Sequence, residues 1–182
     1  TCITMRGMFG DRLTVDDTLN SWAFVERQER VDPAMDLRRA WSLDDIDPNY
    51  PLAQRVRAWR DIDPLPLYPF QEAGIVFLAT VRRALLGDEM GTGKTRQSIS
   101  TLKVLHEQGE QVFPAIVVAP NNMILTWRTE FEKWWPGVRV KVVKGSAKQR
   151  REIIDSEWDV LVINYEGLRS HSKLAGYGSI RL

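Results

Sequence analysis

The chain has 182 residues and a mass of 20.9 kDa, which is enough for one sizeable domain with a small appendage. Hydrophobic residues make up 43%, charged residues 27% and the net charge is +1, so extended disorder is excluded, as is a membrane span of roughly 20 apolar residues. A single cysteine, Cys2, and two histidines argue against a disulfide framework and against a cysteine- or histidine-built metal centre.

Two proline-rich joints, over 47–51 and 63–69, interrupt the chain. Proline at this density does not fit inside a helix or a central strand. We therefore predict a domain boundary near residue 64, with an N-terminal extension over 1–64 that is mixed or mainly helical. Residues 65–182 are mildly basic, which permits a polyanionic partner.

Two short helices are predicted in the extension, over 18–30 and 52–59. In the second, Leu52 and Val56 share a face with a tryptophan three residues further on. Three tryptophans of the extension are interpreted as packing anchors rather than ligand contacts: Trp22, Trp41 and Trp59.

After residue 64, apolar runs alternate with segments of helical periodicity. Helices are predicted over 70–82, 95–107, 122–134 and 148–156. Strands are predicted over 84–87, 115–119, 138–142 and 160–163. Continuous apolar strands alternating with helices predict an α/β fold, in which helices cover a mostly parallel sheet.

The strongest chemical signal is the run Asp-Glu-Met-Gly-Thr-Gly-Lys-Thr over 88–95, between a predicted strand and a predicted helix. Gly91 and Gly93 allow the backbone to approach phosphate oxygens closely. The amides at the helix start favour an anion, and Lys94 can reach the β- and γ-phosphates. The Thr95 hydroxyl is a candidate Mg²⁺ ligand.

One position departs from the general phosphate-loop pattern, because Asp88 stands where glycine is usual. This relaxed form is the kind that superfamily II helicase-like ATPases use. Asp88 and Glu89 can be mistaken for a catalytic acidic pair. Their place directly before the loop favours a loop-orienting role instead.

Residues 89–95, followed by Gln97, resemble the D-E-M-G-L-G-K-T-x-Q of Swi/Snf-type ATPases, which translocate on double-stranded DNA. Upstream, residues 67–74 are similar to the family's L-R-P-Y-Q-x-x-G, in which glutamine recognises adenine. Tyr68 replaces the family's arginine, and a tyrosine can stack on the base. The resemblance implies a RecA-like lobe that binds ATP and Mg²⁺, with Lys94 and Thr95 catalytic. The implied nucleotide-binding residues are Tyr68, Gln71, Gly91, Thr92, Gly93, Lys94, Thr95 and Arg96, with Thr95 on the metal.

Two further blocks agree with the family in order and spacing. Residues 127–134 resemble its W-x-x-E-F-x-K-W, although Trp127, Phe131 and Trp134 also have the spacing of core residues. Residues 160–166 resemble an apolar strand ending in T-Y-E; an alternative acidic box at 164–166 is disfavoured because asparagine lacks the charge that Mg²⁺ prefers. The resemblance implies DNA-backbone contacts by Asn121, Asn122, Thr126 and Tyr165.

The family's Asp-Glu-x-His box and second RecA-like lobe do not occur in these residues. We therefore expect a fragment of a longer protein, the first part of a motor lobe, that binds ATP without useful turnover. The expected partners are double-stranded DNA and the second lobe, with no membrane, in the cytoplasm of a bacterial or phage-infected cell, or in the nucleus of a eukaryote.

Alternatives remain open at this point: a helicase or restriction-enzyme motor of the same superfamily, or a naturally truncated, non-hydrolysing nucleotide- or protein-binding module. A small-molecule kinase would not explain Phe70-Gln71 or the tryptophan-rich segment.

Overall fold

The computed structural model describes residues 13–16, 21–24, 40, 42–61, 65–171 and 174. The chain divides into two compact units, residues 1–104 and 105–182. None of the helices found in the described ranges is long and apolar enough to cross a membrane.

A β-hairpin is the first described element of the first unit. Strand β1 (Leu13–Asp16) pairs antiparallel with β2 (Ser21–Phe24), so that Leu13 lies opposite Phe24. The prediction of a helix over 18–30 is wrong at residues 21–24, and its other residues lie outside the described ranges. Aromatic and β-branched residues favour strands, so strand pairing prevails over helical spacing here.

Three helices of the first unit confirm their predictions: α1 (Pro51–Ala58), α2 (Pro69–Val81) and α3 (Lys94–Glu107), whose last residues belong to the second unit. Short 3₁₀ turns at Leu43–Asp45 and Trp59–Asp61 flank α1. The predicted apolar face is buried at Leu52, Val56 and Trp59, as expected for packing anchors. The side chain of Trp22 and all of Trp41 lie outside the described residues.

The strand predicted over 84–87 is absent from the described structure. The chain leaves α2 through Arg82, which has a φ of 67°, and runs half-buried towards the loop without joining a ladder. Four apolar residues carry no periodicity that separates a strand from a buried connection. The carbonyls of Asp88 and Glu89, just beyond, accept hydrogen bonds from a lysine side chain instead of a neighbouring strand.

A parallel sheet forms the core of the second unit, as predicted. Strands β3 (Ala115–Val118), β4 (Val140–Val142) and β5 (Val160–Ile163) follow the order β3-β5-β4, with β5 paired to both neighbours. All four residues of β5 are buried, which explains the unbroken apolar run.

Helices cover this sheet, so the α/β fold class is confirmed. They are α4 (Ile124–Trp134), α5 (Ala147–Asp155) and α6 (Tyr165–Ser170). Helix α4 contacts β4 and β5 and buries Phe131, whereas its tryptophans are only half-buried. Ile153 and Ile154 of α5 pack on a core cluster that includes Ile116 and Leu161.

Candidate functional site

In the glycine-rich loop before α3, the side chain of Lys94 bonds back to the first residues of the loop. Lys94 Nζ donates to the carbonyl oxygens of Asp88 (2.7 Å) and Glu89 (2.5 Å). Gly91 and Gly93 have φ values of 86° and 79°, which glycine adopts without strain. Met90, at the tip of the loop, is 97% exposed. The lysine thus lies inside the loop that the sequence assigned to phosphate, at the start of a 14-residue helix.

Gln71, in α2, forms a hydrogen bond with Thr92 of this loop, which lies 21 residues later in the sequence. Its Oε1 accepts from the Tyr68 N–H at 3.1 Å, and its Nε2 donates to the Thr92 carbonyl at 2.9 Å. A Cβ added at Gly93 would overlap that Nε2 atom. The side chain is only 4% exposed, so the residue predicted to read adenine is fixed against the residues predicted to hold phosphate.

Tyr68 directly precedes the first residue of α2 and is exposed. The residue is 65% exposed, and its ring is stacked on that of Phe70, with 5.8 Å between ring centroids and 6° between planes. An exposed, oriented aromatic face is suited to stacking with a second flat group.

Thr95 and Arg96 lie in the first turn of α3. Thr95 is also the last residue of the glycine-rich run, whereas Arg96 lies beyond it. The buried guanidinium of Arg96 donates to the carbonyl oxygens of Pro66 (3.3 Å) and Leu65. This arrangement holds the segment before α2. The side chain predicted to contact the cofactor thus contacts backbone in this structure.

Gln97 was noted in the sequence only as part of a motif. It is fully buried, its Nε2 lies 3.5 Å from an Asp88 carboxylate oxygen, and a Cβ at Gly74 would overlap its Oε1. The contact with Gly74 explains why α2 carries a glycine there, and the contact with Asp88 agrees with a loop-orienting role for that carboxylate.

A second group of predicted residues lies in the other unit, at the carboxyl edge of the parallel sheet. Asn121 and Asn122 are exposed in the turn after β3, and Thr126 is exposed in the first turn of α4. Tyr165, 59% exposed, begins α6 two residues after the end of β5. Because β3 and β5 are parallel neighbours, the residues that follow them meet at one edge.

Asn164, considered from the sequence only as part of a disfavoured acidic box, lies at the same edge. Its Oδ1 accepts from the Gly167 N–H at 2.8 Å and caps α6, while its Nδ2 lies 3.5 Å from Asn121 Oδ1. This capping role was predictable, because asparagine directly before a helix is a common N-cap.

An ion pair fixes the opposite edge of the sheet. Arg139 donates to the carboxylate of Asp159 from its side chain (Nη2–Oδ1, 2.8 Å) and from its backbone N–H (2.8 Å). The side-chain hydrogen bond is the main reason that the pKa of Asp159 is lowered, and it raises the pKa of Arg139. The two residues directly precede β4 and β5, so the pair supports the strand register.

A parallel sheet flanked by helices makes the chain an α/β protein, and its Gly-Thr-Gly-Lys-Thr sequence lies at the start of a helix. A comparison with known families is more specific. The SNF2-related domain matches residues 23–181, and the chain belongs to this family.

Individual relatives agree. The chain is 37% identical over 109 residues to "Helicase swr1" of Aspergillus fumigatus, which covers 55% of this chain and 6% of the relative. It is 33% identical over 130 residues to "Nuclear protein STH1/NPS1" of Saccharomyces cerevisiae, covering 64% and 10%. Among solved structures, the Sulfolobus solfataricus SWI2/SNF2 ATPase core in complex with dsDNA matches with a TM-score of 0.52 and 26% identity, covering 60% of this chain and 24% of that one. The chain thus spans a tenth or less of these two curated relatives.

Proposed function

We propose that this chain binds ATP and Mg²⁺ as the first part of the nucleotide-binding lobe of a DNA-dependent motor. The observation that carries the proposal is the contact of Gln71 with Thr92 and Gly93, which places an amide beside a glycine-rich loop. A loop lysine and the N-terminal end of a helix have the positive charge that a triphosphate requires. The names of the relatives, a helicase and an ATPase core in complex with dsDNA, agree with such a motor.

Gln71 retains hydrogen-bonding capacity for a base. A glutamine amide has two acceptor sites on oxygen and two N–H donors, and the contacts with Tyr68 and Thr92 occupy one of each. One acceptor and one donor remain, which match the N6–H donor and N7 acceptor of adenine and mismatch O6 and N7 of guanine, which are both acceptors. Tyr68 would add stacking from its exposed face.

Lys94 would exchange its two carbonyl contacts for phosphate oxygens, to which an ammonium binds more strongly. The Thr95 hydroxyl would hold Mg²⁺ together with phosphate oxygens. Bound ATP supplies a transferable phosphoryl group. Since these 182 residues contain no Asp-Glu-x-His sequence, we propose that the chain binds ATP without hydrolysing it at a useful rate, and that a second lobe completes the site.

Nucleotide binding tests this proposal directly. In fluorescence titrations with labelled ATP, Lys94→Ala should lower affinity by about 10- to 100-fold, the effect of losing a charged hydrogen-bonding group. Lys148→Ala, which removes a lysine that is 87% exposed on α5, is the matched control. Gln71→Ala should reduce the preference for ATP over GTP. If Lys94→Ala binds ATP as tightly as the parent chain, the loop is not the nucleotide site.

We also propose that the sheet edge formed by Asn121, Asn122, Thr126 and Tyr165, together with Asn164, contacts the phosphate backbone of duplex DNA. These side chains are uncharged, so replacing Asn121 with alanine should weaken binding without changing the slope of log K against log salt. Replacing Lys144, an exposed lysine, with alanine is the contrasting control. If the Lys144 ammonium contacts DNA, its loss reduces the slope of log K against log salt. An unchanged affinity for the Asn121 variant in anisotropy titrations would remove Asn121 from the interface.

The relatives include a yeast protein named as nuclear and a bacterial "Uncharacterized ATP-dependent helicase" of Mycoplasma pneumoniae. A nuclear site in a eukaryote and a cytoplasmic site in a bacterium therefore both stay predictions.

A further inference from the structure

An ion pair on α2 lies one residue from the proposed adenine reader. Arg60 donates to both oxygens of Glu72, from Nε to Oε1 at 2.7 Å and from Nη2 to Oε2 at 2.6 Å. Glu72 is 2% exposed, whereas the side chain of Arg60 is 42% exposed. A two-point fork of this kind fixes both distance and orientation.

Arg60 belongs to the segment that precedes the predicted domain boundary. The same segment holds α2 near its other end, where the Tyr50 hydroxyl lies 2.8 Å from Thr80 Oγ1. Trp59, beside Arg60, is buried, and α1 packs against α2. The residues before the boundary therefore restrain the helix that carries Gln71 at both ends.

We propose that Arg60 is a positioning residue for nucleotide recognition, acting through Glu72 on the first turn of α2. The inference rests on the proposed function, in which Gln71 reads adenine. A carboxylate buried as deeply as that of Glu72 requires a compensating charge. Without Arg60, this carboxylate would move towards water and turn the first helical turn with it. Gln71 shares that turn, and recognition by a fixed amide tolerates displacements of only about 0.5 Å.

The ratio of the GTP and ATP dissociation constants distinguishes a displaced Gln71 from a loss of folding stability. A variant that merely unfolds part of the population weakens both nucleotides by the same factor, so their ratio does not change. We expect Arg60→Ala and Glu72→Gln each to lower the preference for ATP about three- to tenfold, near the value of one hydrogen bond. Arg60→Lys keeps the charge, cannot form the fork, and should give an intermediate ratio even if the alanine variant folds poorly.

Arg57→Ala is the matched control, because the Arg57 guanidinium donates hydrogen bonds to the backbone of Leu43 and Pro48 within the same segment. Its ratio should equal that of the parent chain. In the Arg60→Ala, Gln71→Ala double variant, the ratio should equal that of Gln71→Ala alone, since both changes act on one contact.

The outcomes are distinguishable in titrations with ATP and GTP. If Gln71→Ala loses the preference while Arg60→Ala, Arg60→Lys and Glu72→Gln keep it, the positioning role is overturned and the proposed function stands. If the parent chain does not bind ATP, or Gln71→Ala keeps the parent ratio, the base-reading part of the proposed function fails and this inference fails with it.

Discussion

Replacing Gly93 with alanine tests whether Gln71 is held against the glycine-rich loop. Gly93 has a φ of 79°, and an added Cβ would overlap Nε2 of Gln71. The end of a flexible side chain usually moves aside cheaply. Here the amide is buried and bonded to Tyr68 and Thr92, so it cannot move without breaking both contacts.

Gly91 provides the comparison, because its φ is 86° and a Cβ there would meet nothing within 4 Å. Alanine in this backbone region costs about 1–2 kcal/mol, which is the whole expected effect of Gly91→Ala. Gly93→Ala also displaces Gln71, and each buried hydrogen bond is worth about 1 kcal/mol. We therefore expect Gly93→Ala to lower the free energy of unfolding by about 3–4 kcal/mol, roughly 2 kcal/mol more than Gly91→Ala.

Urea unfolding followed by circular dichroism measures both variants, and a double-mutant cycle identifies the cause. In the Gln71→Ala background the amide is gone, so the two glycine replacements should cost the same amount. Equal costs in the parent chain, or an extra cost for Gly93→Ala that persists without Gln71, would refute the packing of Gln71 on the loop.

Three further predictions concern the second unit. Leu161→Ala, in the fully buried central strand, should destabilise the chain by about 2–5 kcal/mol in the same unfolding assay. Arg139 lowers the pKa of Asp159 in the folded chain, so the contribution of Asp159 to stability is present above about pH 4 and is lost as pH falls towards the folded pKa. The difference in free energy of unfolding between the parent chain and Asp159→Asn should therefore shrink between about pH 5 and pH 3 in urea titrations. A difference that stays constant over this range would contradict the ion pair. Asn164→Asp should keep the helix cap on Gly167 and the melting temperature but weaken duplex binding several-fold in anisotropy titrations, and unchanged binding would exclude Asn164 from the DNA interface.

Most elements after residue 64 were predictable because their periodicity is unambiguous. The run over 160–163 is buried on every residue, and the stripe Ile99, Leu102 and Leu105 of α3 is fully buried as its spacing indicates. The run over 84–87 was misread because four apolar residues also suit a buried connection. The hairpin was missed because its pairing depends on residues in another strand, which helical spacing does not reveal.

The position of the loop before a helix could be read from its residues, but its supporting contacts could not. No sequence rule connects Gln71 with Thr92, or Arg60 with Glu72, because each contact depends on how two segments pack. The boundary near residue 64 stays a prediction. Arg60, which lies before it, nevertheless bonds to α2 within the first compact unit.

The order of the three parallel strands has a consequence for biosynthesis. Within the described part of the second unit, β3 and β4 pair only with β5, which is made last of the three. A nascent chain that has already released β3 and β4 therefore carries two strands whose ladder partner does not yet exist, and the apolar edge of β3 is open to neighbouring chains. The three-stranded sheet can therefore form only after β5 has been made. Slowing translation between the codons for β4 and β5 is expected to prolong that interval and to increase the aggregated fraction of the product.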